Sequence, residues 1–228
     1  MSLTSDFVNE MERRILKGEW KCGEKIPALR VLAEEFNVSR SVVNAGIVEL
    51  QNKGYLVTVP RRHIEVTDWK KEGTLAVLQG LFENGLMTGG YVADMLDGRR
   101  TVELAAVRAA AIHRTEDDLL EIAKIIAEEK KDCTIPQRVK FDVAFHHTLA
   151  KASHNFVYSI LLKSFENVVT SLVTKFYENN FDREYVYSTH DKIYTAIKNK
   201  NADDAERFLS ELLSQGEYIV KEITNKEG

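Results

Sequence analysis

The apolar positions of residues 36–55 follow the spacing of one amphipathic helix, with a start signal before it and a stop signal after it. They form a single face: Val42, Val43, Ile47 and Leu50. Ser39 can cap the first turn by accepting a backbone N–H, and Gly54 supplies the left-handed residue that ends a helix. The opposite face begins with Arg40, Ser41, Asn44 and Ala45. Such side chains reach base edges when a helix lies in a major groove, although an ordinary surface helix remains the alternative.

The neighbouring patterns predict the rest of a winged helix-turn-helix. Two helices are expected before the first stretch, over residues 5–17 and 28–36, with a loop at 19–27 and a turn at 37–40. Two β-like runs follow at 56–59 and 64–66, flanking a tip that contains Pro60, Arg61, Arg62 and His63. We therefore expect a DNA-binding domain over residues 1–68 and a linker over 69–74.

Residues 75–228 read as helix almost throughout, so the chain is predicted to be mainly α with an antiparallel helical bundle behind the winged domain. Thr115 and the acidic residues after it mark a helix start. Pro136 is expected to break the pattern before another helix over 139–152. No apolar run approaches the roughly 20 residues of a membrane span, and a cytoplasmic protein is expected.

Composition and charge change this picture little. The chain has 228 residues, a net charge of −4 and an ordinary 44% of hydrophobic residues. Residues 1–70 hold 11 Lys/Arg and 10 Asp/Glu, so they could approach phosphates only through basic groups clustered on one face. Cys22 and Cys133 fit no metal or redox spacing and are expected to be reduced.

Residues 7–66 resemble the winged-helix domain of GntR-type bacterial transcription regulators. The resemblance rests on the G-x-x-x-x-G-x-x-I-P-x-x-R-x-L-A frame, the V-S-R step and the G-Y-L-V strand. It implies that Arg30 and Arg40 contact operator DNA and that Arg61 and Arg62 touch its backbone or minor groove. The DNA-binding residues expected from the pattern and the resemblance together are Arg30, Ser39, Arg40, Ser41, Asn44, Arg61, Arg62 and His63.

Two departures from the GntR pattern predict a changed operator. Val43-Asn44-Ala45 stands where related chains carry Val-Arg-Glu, so an amide suited to adenine replaces a guanine-reading arginine. The wing also lacks its usual glycine.

Residues 75–223 resemble the all-helical FCD-type ligand-binding domain of the FadR subgroup. The resemblance rests on five weak cues: Arg99-x-x-x-Glu103, the TEDDL step, Phe141-Asp142-x-x-x-His146-x-x-Leu149, Asn155, and His190 before Asp203-Asp204-Ala205. Together with the matching first domain they imply an effector pocket inside a helical bundle.

Asp142 and His146 are four residues apart, so both side chains project from one helix face within reach of a single ion. The spacing alone more often marks a simple polar contact. The resemblance favours a metal and adds His190 as a third ligand, whereas Leu212 stands where a fourth histidine is expected. Three ligands would hold zinc or nickel with open positions, more weakly than a full set.

Two interpretations of the pocket stay open at this point. In the first, a metal on Asp142, His146 and His190 binds a small carboxylate, with Arg99 as a second anchor. In the second, the site is vestigial and the pocket takes acyl-coenzyme A without metal, an interpretation suggested by Trp69 and Gly73 after the wing.

The expected function is that of an effector-responsive, sequence-specific transcription regulator that binds an operator as a homodimer. A metal-dependent enzyme is the main alternative class. It is disfavoured because no general base, phosphate loop or activated nucleophile is recognisable near the metal ligands.

Overall fold

The computed structural model describes residues 2–60, 63–179 and 182–226, with side chains through residue 218. The chain divides into two units, Met1–Met87 and Thr88–Gly228. The first contains α1 (Leu3–Leu16), α2 (Leu29–Glu35), α3 (Arg40–Lys53), β1 (Leu56–Val59), β2 (His63–Val66), α4 (Trp69–Glu72) and α5 (Ala76–Glu83). The second contains α6 (Gly89–His113), α7 (Glu116–Glu129), α8 (Ile135–Ala152), α9 (Phe156–Glu178), α10 (Arg183–Lys198) and α11 (Ala202–Lys226).

Helix α3 begins and ends where its sequence predicts. The Ser39 hydroxyl accepts a hydrogen bond from the Val42 backbone N–H at 3.3 Å, and Gly54 adopts the left-handed conformation with φ of 85°. Val43, Ile47 and Leu50 are buried. The cap therefore fixes the start of α3, and the apolar face fixes its orientation on the unit.

Gly46 allows α3 to cross α1 at very short range. A Cβ atom at this position would lie 2.3 Å from Cδ1 of Phe7, closer than two carbon atoms can approach. Phe7 is itself 1% exposed and packs edge-on against Phe36, with ring centroids 4.8 Å apart. The buried face of α3 therefore packs tightly against α1 and α2.

The wing is a two-stranded antiparallel hairpin in which Leu56 pairs with Val66 and Val59 with His63. The predicted DNA contacts Arg61 and Arg62 lie outside the described residues. With the helix pair α2 and α3 before it, this hairpin completes a winged helix-turn-helix. The predicted mainly helical fold class is confirmed.

The first unit extends beyond the winged domain predicted for residues 1–68, because the segment after the wing packs back onto it. Thr74 donates its backbone N–H to the Lys53 carbonyl at 3.0 Å, and α5 packs on α1. At Gly80 of α5 an added Cβ would meet the Tyr55 hydroxyl at 2.4 Å. The unit boundary after residue 87 therefore lies later than the predicted domain start at residue 75.

The second unit is all-helical, and α6 packs against α8, α9, α10 and α11. Thr115 caps α7 through a complete capping box with Asp118, as its sequence predicts. Pro136 does not break the pattern as expected. It lies in the first turn of α8, where a missing N–H costs no helical hydrogen bond.

Helix α9 is long and apolar enough, by length and composition, to cross a membrane, with a mean hydropathy of 1.3 over its best window. Core helices of globular proteins pass the same test. Here α9 packs against α8 and buries Phe165, Val169 and Leu172 in the core of the second unit.

Candidate metal centre and DNA-binding surface

Three buried side chains converge in the second unit. Asp142, His146 and His190 each offer a ligand atom, and these atoms all lie within 4.8 Å of one another. Helix α8 supplies the first two from one face, and α10 brings His190 to them. The exposed fractions of the three residues are 7%, 6% and 0%.

Carboxylates behind the two histidines fix which ring nitrogen faces the cluster. His190 Nδ1 lies 2.8 Å from Oε2 of Glu129, and His146 Nδ1 is hydrogen-bonded to Glu103. Both Nε2 atoms are therefore left for the cluster, which is the arrangement that orients histidine ligands in metalloproteins. The His190 ring also stacks on Phe145, with centroids 3.8 Å apart.

His190 Nε2 is buried and has no hydrogen-bond partner among the described residues. A buried polar atom without a partner is costly, so the position fits an additional group bound at the cluster. Oδ2 of Asp142 accepts a hydrogen bond from the Tyr177 hydroxyl at 3.0 Å. The other carboxylate oxygen, Oδ1, therefore remains for the additional group, and it lies 3.9 Å from Nε2 of His146. Two imidazoles and one carboxylate form a donor set that suits a divalent transition metal.

Glu103 lies behind the cluster and binds both Arg99 and His146. Burial opposes ionisation of this carboxyl, but the positive charge of Arg99 and the hydrogen bonds from His146 and Arg99 outweigh burial and lower its pKa from 4.5 to about 2. Arg99 donates through Nε to Glu103. Burial and the charge of Asp142 raise the pKa of Tyr177 well above its ordinary value, so its hydroxyl remains a donor.

A cavity with an empty volume of about 580 Å³, part of it open to solvent, adjoins the cluster. Arg99, Asp142 and His146 line one wall. Leu212, placed by the sequence at the missing fourth ligand, lines the same cavity and is 7% exposed. It offers no ligand atom.

Glu103, Glu129 and Tyr177 were not assigned a role from the sequence. Glu103 carried a local signal, because it stands four residues after Arg99 on one helix face. Glu129 and Tyr177 carried none, since they reach the cluster from 61 and 35 residues away in the chain. His147, beside His146, faces away and lies 3.3 Å from Glu166.

Five of the predicted DNA-contacting residues are exposed near the start of α3: Arg30, Ser39, Arg40, Ser41 and Asn44. Arg30, Ser39 and Arg40 line one open hollow together with Asn37. Ser41 is held by its Oγ, 2.7 Å from that of Ser39.

Asn44 is exposed one turn further along α3, on the side opposite the buried face. His63 differs from the others, because its Nε2 lies 3.1 Å from a carboxylate oxygen of Glu65.

A winged helix-turn-helix followed by an all-helical unit, with a cavity lined in part by potential metal-ligating side chains, is typical of effector-responsive DNA-binding regulators. Comparison with known families agrees. Residues 3–66 match the family of bacterial regulatory proteins, gntR family, and residues 94–215 match the FCD domain. The chain belongs to the GntR family of transcription regulators and carries an FCD domain as its second unit.

Relatives along most of the chain are transcription regulators and not enzymes. The chain is 30% identical to the HTH-type transcriptional regulator LutR of Bacillus subtilis, over 90% of this chain and 95% of LutR. It is 28% identical to the Glc operon transcriptional activator of Escherichia coli, over 86% of this chain and 80% of the activator.

The fold is also that of a solved structure of Lar, described as controlling expression of the Listeria monocytogenes agr system. The TM-score is 0.63, with 18% identity over 97% of this chain and 98% of the other.

Proposed function

We propose that this GntR regulator, of the FadR subgroup, senses a small carboxylate through a divalent metal held by Asp142, His146 and His190. The observation that carries the proposal is the partnerless Nε2 of His190, buried within 4.8 Å of the other two ligand atoms. Zinc and nickel both accept this donor set.

When bound, the metal would supply a Lewis-acidic centre with positions left open for an anionic ligand. The chain's own residues do the rest. Glu103 and Glu129 hold the two imidazoles in place, and Tyr177 keeps one oxygen of Asp142 occupied so that the other faces the site.

Arg99 lines the cavity beside Asp142 and His146. Its guanidinium can bind a carboxylate of the effector, while Glu103 anchors its Nε.

On the DNA side, Arg30, Ser39, Arg40, Ser41 and Asn44 contact the operator through the exposed start of α3. The two arginines line one open hollow, where Glu34 lies 3.9 Å from Arg30 in an exposed and therefore weak ion pair. They supply the positive charge with which a nearly neutral domain can approach phosphates. His63, with Arg61 and Arg62, makes the wing contribution to this surface.

The regulator acts as a cytoplasmic homodimer, because one α3 reads only a half-site and a symmetric operator needs two. Effector binding favours one arrangement of the dimer and thereby changes the spacing of its two reading helices. Coupling of this kind requires no contact between effector and DNA.

Native mass spectrometry with elemental analysis of the full chain tests the metal. One transition metal per chain supports the proposal, and its absence from Asp142→Asn places the ion at the cluster. A metal-free chain that carries an acyl-coenzyme A adduct would overturn the proposal in favour of a fatty-acyl sensor.

Mobility shifts across a salt series test the DNA surface. Arg30→Ala combined with Arg40→Ala should weaken operator binding and lower the slope of log K against log salt by about 2. Lys17→Ala is the matched control, since it removes one positive charge at the far end of α1, about 20 Å along the helix axis from the hollow.

A further inference from the structure

The cavity beside the metal cluster has two walls of opposite character. Arg99, Asp142, His146 and Glu217 make the polar side. Seven aliphatic or aromatic side chains make the rest: Leu96, Leu172, Val173, Phe176, Val186, Leu212 and Leu213. They come from α6, α9, α10 and α11, so the apolar surface surrounds the cavity on several sides.

The polar groups of this cavity are almost all engaged with the protein. Arg99 is bonded to Glu103 through Nε, and Glu217 lies 3.5 Å from Arg100. Asp142 and His146 belong to the metal cluster. Among the described lining residues there is no serine, threonine, asparagine, glutamine or tyrosine, so nothing on the apolar walls can pair with a ligand hydroxyl.

Leu212 sharpens this contrast. It lines the same cavity as Asp142 and His146 with an aliphatic side chain, where the family resemblance implies a fourth metal ligand. A ligand bound to the metal through its carboxylate would place its next carbon atoms against Leu212 and the apolar walls beyond it. Burying hydroxyl groups there without partners is unfavourable, whereas burying methylene groups is favourable.

We propose that the effector is a monocarboxylate with an aliphatic tail of about four to eight carbons, and not a hydroxylated or sugar acid. The inference rests on the proposed metal-assisted carboxylate site, and it assigns the tail to the walls formed by Phe176, Leu172 and Leu212.

Isothermal titration of the metal-loaded full chain with hexanoate and gluconate tests the proposal. Both are six-carbon monocarboxylates, and they differ in the hydroxyl groups of the tail. We expect hexanoate to bind at least tenfold more tightly. From butyrate to hexanoate the affinity should rise by about three- to fourfold per methylene, which is the ratio that ~0.8 kcal/mol gives.

Variants at Leu212 link the preference to the cavity wall. Leu212→Asn should reduce the preference for hexanoate about tenfold or more, whereas the volume-conserving Leu212→Met should keep it. Leu75→Asn makes the same exchange at an exposed site in the first unit and should leave the preference unchanged. Thermal melts of each variant separate loss of fold from loss of preference.

The outcomes separate this inference from the function it rests on. The proposal of an aliphatic tail is overturned alone if the chain holds metal and binds operator but prefers gluconate. The same conclusion follows if that chain binds neither acid up to about 10 mM, which marks the weakest affinity of interest. A chain without metal overturns the proposed function as well.

Discussion

Asn44 is the residue at which the predicted change of operator sequence can be tested. It is exposed on α3, one turn beyond the cap formed by Ser39. An asparagine pairs with adenine N6 and N7, whereas an arginine pairs with guanine O6 and N7. Asn44→Arg should therefore shift selection toward guanine at one position per half-site, by about 1–3 kcal/mol, as measured by binding to randomised sites.

Asn52→Arg provides the control for that experiment. It makes the same exchange on the same helix, about 12 Å further along its axis, at another exposed position. It should strengthen binding to all sequences through the added charge and leave the selected motif unchanged. A motif that Asn44→Arg also leaves unchanged would show that residue 44 reads no base.

Glu129 is the residue through which the metal proposal can be tested without touching a ligand. It fixes His190 through Nδ1 at 2.8 Å. Glu129→Gln keeps the shape but weakens this orientation, so the affinity for metal should fall about 10- to 100-fold. Competition with a chromogenic chelator measures it.

Glu121→Gln is the matched control for Glu129→Gln. Glu121 lies on the same helix, is exposed and pairs with Lys151 at 2.7 Å. An equal loss of metal affinity in both variants would contradict the assignment of Glu129 to the metal centre.

At the scale of single residues, the sequence predicts contacts between side chains that are close together in the chain. The pair Asp142 and His146 follows from helical spacing, but His190 entered only through a family resemblance. Glu129 could not be found, because its contact with His190 spans 61 residues and depends on how α7 packs on α10. Long-range partners of buried side chains are set by packing and not by periodicity.

At the scale of helices and strands, predicted starts and stops succeeded where a side chain caps the backbone. Ser39, Gly54 and Thr115 act as expected because each satisfies backbone groups locally. Pro136 failed as a helix breaker, since proline is tolerated in a first turn. The packing of α5 on α1 depends on contacts that no local pattern reveals.

Helix α9 presents an apolar face at its start that the described part of the second unit leaves uncovered. Phe156, Val157 and Ile160 are 74%, 44% and 56% exposed. Contiguous exposed apolar side chains mark association surfaces, and the proposed function requires a second copy of the chain. Phe156→Asp combined with Ile160→Asp should weaken the dimer by about tenfold or more, as measured by sedimentation at micromolar concentrations.

Val31→Asp is the control for the dimer experiment. Val31 is 43% exposed on α2 in the first unit, so the same kind of charge is introduced away from α9. A dimer that persists in the α9 double variant at the wild-type dissociation constant would assign the interface elsewhere.

At the scale of the whole molecule, the proposed metal centre implies that the stability of the second unit depends on bound metal. Three carboxylates, Asp142, Glu103 and Glu129, are buried there with Arg99 as the guanidinium that pairs with one of them. A divalent ion at the cluster would pair with the charge of Asp142 and would bind only the folded chain. Removing it with a chelator should therefore lower the melting temperature by about 5–10 °C if the site was saturated about 100-fold above its dissociation constant.

Asp142→Asn separates this effect from general chelator damage. The variant keeps a side chain of the same size and should melt at one temperature with or without chelator, as followed by circular dichroism. An equal drop in variant and wild type would mean that the chelator acts at another site.

The close crossing at Gly46 has a consequence for how such a regulator can diverge. Because Gly46 of α3 packs directly against Phe7 of α1, substitutions on the buried face of α3 are not tolerated. The exposed face of α3 contributes little packing energy. Substitutions at Arg40, Ser41, Asn44 or Ala45 can therefore accumulate with small cost to folding. A duplicated gene could acquire a new set of target promoters through a few such changes, with its scaffold and its sensor inherited intact.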